Sequence, residues 1–269
     1  RYESYLLRKW FEAVGAPRVD ETFGDVLARA AVHQLGKPYG GVFAKDEVER
    51  LRVSFYRFEC VSLVETAVAI ARCAWAGRPD EECFAREVLA SRYRHGELVD
   101  YASRLHYFTD WMHDNVARGR ADALTHQFGG VPNEHTFDHV TSQDKILRRL
   151  GDPEQRLEMR EIETRLSSRT HYVIGREAIG EAQGHLRSGD LIAIVSSRDP
   201  GLMVGHVGIV LRSEGGKPRL LHASSYHDRV ILTRTSVADY VRRQKHRRGV
   251  MVIRPLSPDA PQEIARLQL

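Results

Sequence analysis

The 269-residue chain carries 40 Lys and Arg against 36 Asp and Glu, a formal charge of +4, and is 42% hydrophobic and 28% charged. That balance excludes a disordered chain and supplies enough apolar side chains for a substantial core. The small positive excess implies at most a weak preference for anionic partners, and no apolar run approaches the ~18 residues of a helical membrane span.

In chain order, Arg1 to Tyr5 does not read as a native start, so the lack of a signal-peptide pattern there leaves export undecided. Residues 1–125 form a helical part, with apolar residues at three- and four-residue spacing from Val26 to Val32 and again from Cys60 to Trp75. The segment from Phe58 to Ala71 predicts a buried helix that ends near Gly77, with Pro79 beyond it. Cys60 falls in its first turn, where unpaired backbone N–H groups and the helix dipole favour a thiolate and can receive an oxyanion. Taken alone, a free cysteine is more often a small core hydrophobe. Cys73 and Cys83 lack the helix start and read as core residues that would pair only in an exported chain.

Residues 126–185 are polar and weakly periodic, and read as an insertion with one helix within 154–169. His135 and His139 have the i, i+4 spacing of zinc ligands, but Pro132, Asn133 and Thr136 are poor helix formers and no Glu lies between the histidines. No metal or cofactor is therefore expected.

From Gly189 the period becomes two, predicting short strands at 191–195, 207–211, 220–223, 230–232 and 250–253, with a tail at 257–269. The strands are too close together for helical crossovers, so the expected class is α+β with a mainly antiparallel sheet, in one catalytic domain over 1–269. Arg242 to Arg248 reads as a solvated helix face, and with no nucleic-acid-binding motif beside it no nucleic-acid partner is expected.

Residues 205–212 and 218–224, joined by Ser213 to Lys217, read as a β-hairpin. A loop centred on Glu214 sets His206 opposite His222, whereas one centred on Gly215 sets it opposite Ser224 with His222 diagonal. In both registers the histidines share a face, which suits a base and the group that orients it. Gly205 and Gly208 are expected to leave open space beside His206.

Six segments then occur in order: Leu35 to Gly40, Arg57 to Thr66, Ser103 to Phe108, Ser188 to Ile192, His206 to Ile209 and His222 to Ser225. Over about residues 33–256 the chain resembles the DUF1460 group of the NlpC/P60 superfamily. The resemblance implies a papain-like fold, the nucleophile helix packed on the sheet, and an N-acetylmuramoyl-L-alanine amidase acting on peptidoglycan fragments. It implies Cys60 as nucleophile, His206 as base, His222 as the orienting group and Tyr39 as a hydroxyl in the oxyanion hole. Two positions depart from the family pattern: Glu59 stands where Asp precedes the cysteine, and Leu105 where Asn precedes the histidine. The second change bears on specificity.

Arg104, His106 and Arg92 are candidates for anionic oxygens of the substrate, Trp111 for the sugar face, and Ser224 and Ser225 for the cleft. Rival readings are a D,L-endopeptidase of the same superfamily, a metal hydrolase and a non-catalytic cell-wall binding protein. Peptidoglycan as substrate implies a periplasmic or cell-envelope location; the sequence sets no oligomeric state.

Overall fold

The structure is a computed structural model that describes residues 2–41, 48–143 and 152–260. The helices are α1 (Tyr2–Val14), α2 (Phe23–Val32), α3 (Cys60–Trp75), α4 (Glu81–Arg92), α5 (Phe108–Ala117), α6 (Pro153–Ser167), α7 (Ile179–Ala182) and α8 (Val237–Arg242). The strands are β1 (Ala121–Ala123), β2 (Val131–Asn133), β3 (His171–Gly175), β4 (Leu191–Ser196), β5 (Val204–Leu211), β6 (Arg219–Ser224), β7 (Arg229–Leu232) and β8 (Arg247–Pro255). They form one antiparallel sheet in the order β2-β3-β8-β4-β5-β6-β7, with β1 also paired to β8.

Alternation divides the sheet's side chains between two cores. Leu191, Ala193, Val207, Ile209, Leu221, Met251 and Ile253 pack with α1 to α5, and Ile192, Ile194, Val210, Leu220, Val250 and Val252 pack with α7 and α8. Helix α3 is apolar nearly all round and is buried from Ser62 to Ala74, as a helix between a sheet and other helices must be. Gly77, at φ +66°, takes the left-handed conformation just past its C-cap, as expected.

The structure differs from the sequence reading in three places. The stretch 126–185 supplies β2 and β3, which extend the main sheet. The edge strand β2 hid because it is three residues long, contains Pro132 and exposes Val131. Helix α6 buries Met159, Ile162 and Leu166, and its buried Glu163 accepts hydrogen bonds from the Tyr107 hydroxyl at 2.5 Å and from the Val140 and Thr141 N–H groups at 3.1 Å. Second, Arg242 to Arg248 is a junction between α8 and β8, in which the Arg242 guanidinium donates to the Arg176 and Glu177 carbonyls. Third, Cys73 and Cys83 form a disulfide between α3 and α4, with Cα atoms 5.9 Å apart. Residues 134–138 are not helical, so His135 and His139 do not share a helix face; among the described residues no three His, Cys, Asp or Glu side chains gather as a metal site.

Candidate active site

Glu59 caps α3 in extended backbone (φ −89°) and receives help from Ser62, whose hydroxyl accepts from the Glu59 N–H at 2.9 Å. This fixes Cys60 as the first helical residue, half-buried at the end of α3. The Leu35 to Gly40 motif is tied to the same place: Phe58 N–H donates to the Pro38 carbonyl at 3.0 Å, Gly40 N–H to the Phe58 carbonyl at 3.1 Å, and Tyr39 N–H to Asp228 at 2.9 Å. Tyr39 is thereby held between the cysteine segment and the turn that follows β6.

The hairpin has the register centred on Gly215, since Ile209 pairs with Leu221 and Leu211 with Arg219. The β5–β6 ladder ends at Ile209–Leu221, although both strands run on to Val204 and Ser224. Beyond that point the Val207 N–H is released from the ladder and donates to the Cys60 sulfur. His206, next in the chain, has its Nε2 2.8 Å from His222 Nδ1, with the two rings nearly perpendicular. The diagonal placement therefore brings the imidazoles into a hydrogen bond, and leaves His206 Nδ1 as the ring nitrogen available to another group.

Gly205 and Gly208 serve close packing and not open space. A Cβ at Gly205 would lie 2.9 Å from the Ser196 side chain, and one at Gly208 would lie 2.8 Å from Leu220 and from the Leu221 carbonyl.

Burial pushes the Cys60 thiol up, outweighing the Val207, Val61 and Cys60 N–H groups that favour its thiolate. The helix start alone predicted a thiolate; the structure reverses that balance. Burial pushes His206 and His222 down, with the facing imidazole acting on His206 and Arg247 acting on both. The resting charge state is a neutral thiol and a neutral imidazole pair. Tyr39 is raised by burial, then by Cys60 and Glu59, so its hydroxyl stays protonated and able to donate.

The predicted substrate residues divide between two cavities. Tyr39, Cys60, Arg92, Arg104, His106 and Trp111 line one of about 530 Å³, together with Glu59, Glu65 and His139. His206, His222, Ser224 and Ser225 line a second of about 480 Å³, with Tyr240 and Arg247. Several of these groups are already engaged. Arg92 is buried against Glu65 at 2.8 Å and donates to the Arg52 carbonyl at 2.6 Å. His106 Nε2 is 2.7 Å from the Tyr101 carbonyl, and burial, with Arg104 nearby, pushes its pKa down to about 3, so it is no cation at neutral pH. Trp111 is 2% exposed and stacked on Phe108 at 5.0 Å, which makes it a core aromatic and not an open platform. Arg104 pairs with Glu49 at 3.4 Å and lies over the Tyr101 ring. Ser224 is buried and accepts from the His227 N–H at 3.2 Å, while Ser225 is exposed.

Sequence reasoning missed Glu49, Glu65 and Tyr240, for which no local pattern exists. Glu59 and Arg247 were visible only as a departure from a motif and as one of several arginines.

Residues 29–250 match the AmiA-like family model, described as N-acetylmuramoyl-L-alanine amidase-like. Among solved structures, an N-acetylmuramoyl-L-alanine amidase from Bacteroides uniformis ATCC 8492 is 26% identical, with TM-score 0.78 over 87% of this chain and 99% of that one. A protein from Bacteroides fragilis provisionally named a xylanase is 27% identical, with TM-score 0.73 over 83% and 98%. A DUF1460 protein from Legionella pneumophila str. Philadelphia 1 shares the fold at 17% identity and TM-score 0.67, over 94% of both chains. No curated protein sequence matches.

Proposed function

The chain belongs to the AmiA-like, N-acetylmuramoyl-L-alanine amidase-like family, and on that premise we propose that it is a peptidoglycan amidase using Cys60 as nucleophile. Its substrate is the amide between the lactyl group of N-acetylmuramic acid and the L-alanine of the stem peptide. The observation that carries the reading is the Val207 N–H on the Cys60 sulfur beside the hydrogen-bonded His206–His222 pair.

With both partners neutral at rest, His206 Nδ1 takes the thiol proton as sulfur adds to the lactyl carbonyl, in the manner of a general base. The Tyr39 hydroxyl and backbone N–H at the start of α3 donate to the oxyanion. The His206 imidazolium then protonates the alanine nitrogen as the C–N bond breaks, leaving a thioester. Water adds to the thioester while giving a proton to His206, and the thiol leaves with that proton as the carboxylic acid forms. His222 holds His206 throughout.

A glycan-cleaving reading, which the name of the B. fragilis relative raises, needs two free carboxyl groups flanking a sugar bond. Of Glu59 and Glu65 in the Cys60 cavity, Glu65 is held by Arg92. A location outside the cytoplasm follows from the substrate and is supported by the Cys73–Cys83 disulfide. The chain is read as one catalytic unit, since the sheet of β1 to β8 draws on both its halves.

Defined muropeptides analysed by mass spectrometry test the proposal. New free L-alanine amines, lost in Cys60→Ala, support it; cleavage within the stem peptide would transfer the activity to an endopeptidase, and glycan cleavage would remove the cysteine scheme.

A further inference from the structure

The contacts around His206 and His222 continue into groups that the scheme above does not use. The Tyr240 ring, from α8, lies 5.1 Å from the His222 ring at 51°. The Arg247 guanidinium, at the start of β8, lies 3.9 Å from the Tyr240 ring centroid and donates to the Tyr240 backbone carbonyl. One residue thus holds this arginine by ring face and by hydrogen bond. His222 is 2% exposed, and its ring is set by the hydrogen bond to His206, by a backbone hydrogen bond to Ala223 and by the packing of Tyr240.

Resting on the reading of His206 as base, we propose that Arg247 is a positioning residue: through Tyr240 it holds the His222 ring against His206 and keeps a permanent positive charge beside the pair. The charge matters because the base works only unprotonated, and because a second proton on His222 would put a donor on the nitrogen that must accept from His206. Burial supplies the largest part of the push against protonation, and Arg247 adds to it on both rings. The other ionisable groups around the pair are the Cys60 thiol, Arg198 and Asp199 before β5, Tyr226 and His227 after β6, and Arg243 and His246 between α8 and β8. Among these Asp199 is the one carboxyl group against the guanidinium groups of Arg198 and Arg243, so the surroundings reinforce Arg247. A cation–π contact also keeps the guanidinium in place without a carboxylate that would cancel its charge.

The test compares wild-type protein with Arg247→Met, Arg247→Gln and Arg247→Lys, reading kcat/KM against pH on a defined muropeptide and the His206 and His222 ring signals by NMR titration. The neutral variants should move the acid limb and both ring titrations up by about one pH unit, while Arg247→Lys stays near wild type. Two neutral variants guard against one that misfolds, and the titration needs only folded protein. Unshifted neutral variants would overturn the proposal, as would a lysine variant that moves as far as they do, since the arginine would then act by packing alone. His206→Ala separates the two ideas. If it stays active, the reading beneath fails; if it is inactive while the arginine variants keep the wild-type limb, only the role of Arg247 fails.

Discussion

The backbone N–H of Val207 donates to the sulfur of Cys60, so a helix start and a strand meet one residue away from His206. The contact exists because the β5–β6 ladder stops at Ile209–Leu221 and frees the amide that would otherwise pair across it. A sheet that stayed zipped to its end would leave no donor there.

The thiol itself gives the first prediction. Burial raises Cys60 despite three N–H donors, so iodoacetamide labelling of Cys60 should rise with an apparent pKa above that of an ordinary thiol. Cys60→Ala should lower turnover by at least about a thousandfold. A labelling rate already at its plateau in mildly acidic buffer would show a resting thiolate and contradict the neutral pair.

Arg92 should behave as a structural residue. Its guanidinium and the Glu65 carboxylate have side chains 8% and 5% exposed, so Arg92→Met leaves a buried carboxylate without its partner. We expect a loss of about 3–5 kcal/mol in denaturant unfolding, with KM for muropeptide changed little in the protein that remains folded. A selective rise in KM at wild-type stability would restore Arg92 as a substrate contact.

The same pair shows what a sequence conceals. Glu65 and Arg92 stand on different helices, α3 and α4, and only their packing removes both from water. Helix α3 was legible because its apolar run is continuous from Leu63 to Val64 and from Ala67 to Ala71 and a glycine follows it; β4 to β8 were legible because apolar residues recur with the pleat. Strands β2 and β3 were not, since Pro132, His171 and Tyr172 interrupt the pattern. Cys60, His206 and His222 stood out by chemistry and motif order. Tyr240 and Arg247 acquire their place only when α8 folds over the sheet face that carries His222.

Reducing the Cys73–Cys83 bond should destabilise the helical layer. The cysteines are ten residues apart, so the chain-entropy estimate for losing the cross-link is about 2–3 kcal/mol. The double substitution Cys73→Ala, Cys83→Ala should lower the urea midpoint accordingly, while thiol counting under denaturing conditions falls from one free and two bonded cysteines to one. An unchanged midpoint would mean that the helices hold α3 against α4 without the bond.

Acid sensitivity should come from His113. It is 4% exposed on α5, neither ring nitrogen has a hydrogen-bond partner, and its ring lies 5.4 Å from that of the buried His171. Burial, with Arg169 and His171 adding to it, pushes its pKa down to about 3 from 6.5. The folded-state pKa is therefore below the unfolded one, and between the two the unfolded chain binds the extra proton. Stability contributed by the neutral ring is complete above the unfolded pKa and is lost as pH falls toward the folded one, a difference of about 2 kcal/mol by pH 5. Because both nitrogens are unpartnered, His113→Phe sacrifices no hydrogen bond and should unfold at a similar urea concentration near pH 8, yet at a higher one than wild type near pH 5. Parallel loss of stability on acidification in both proteins would assign the acid sensitivity to the other buried histidines.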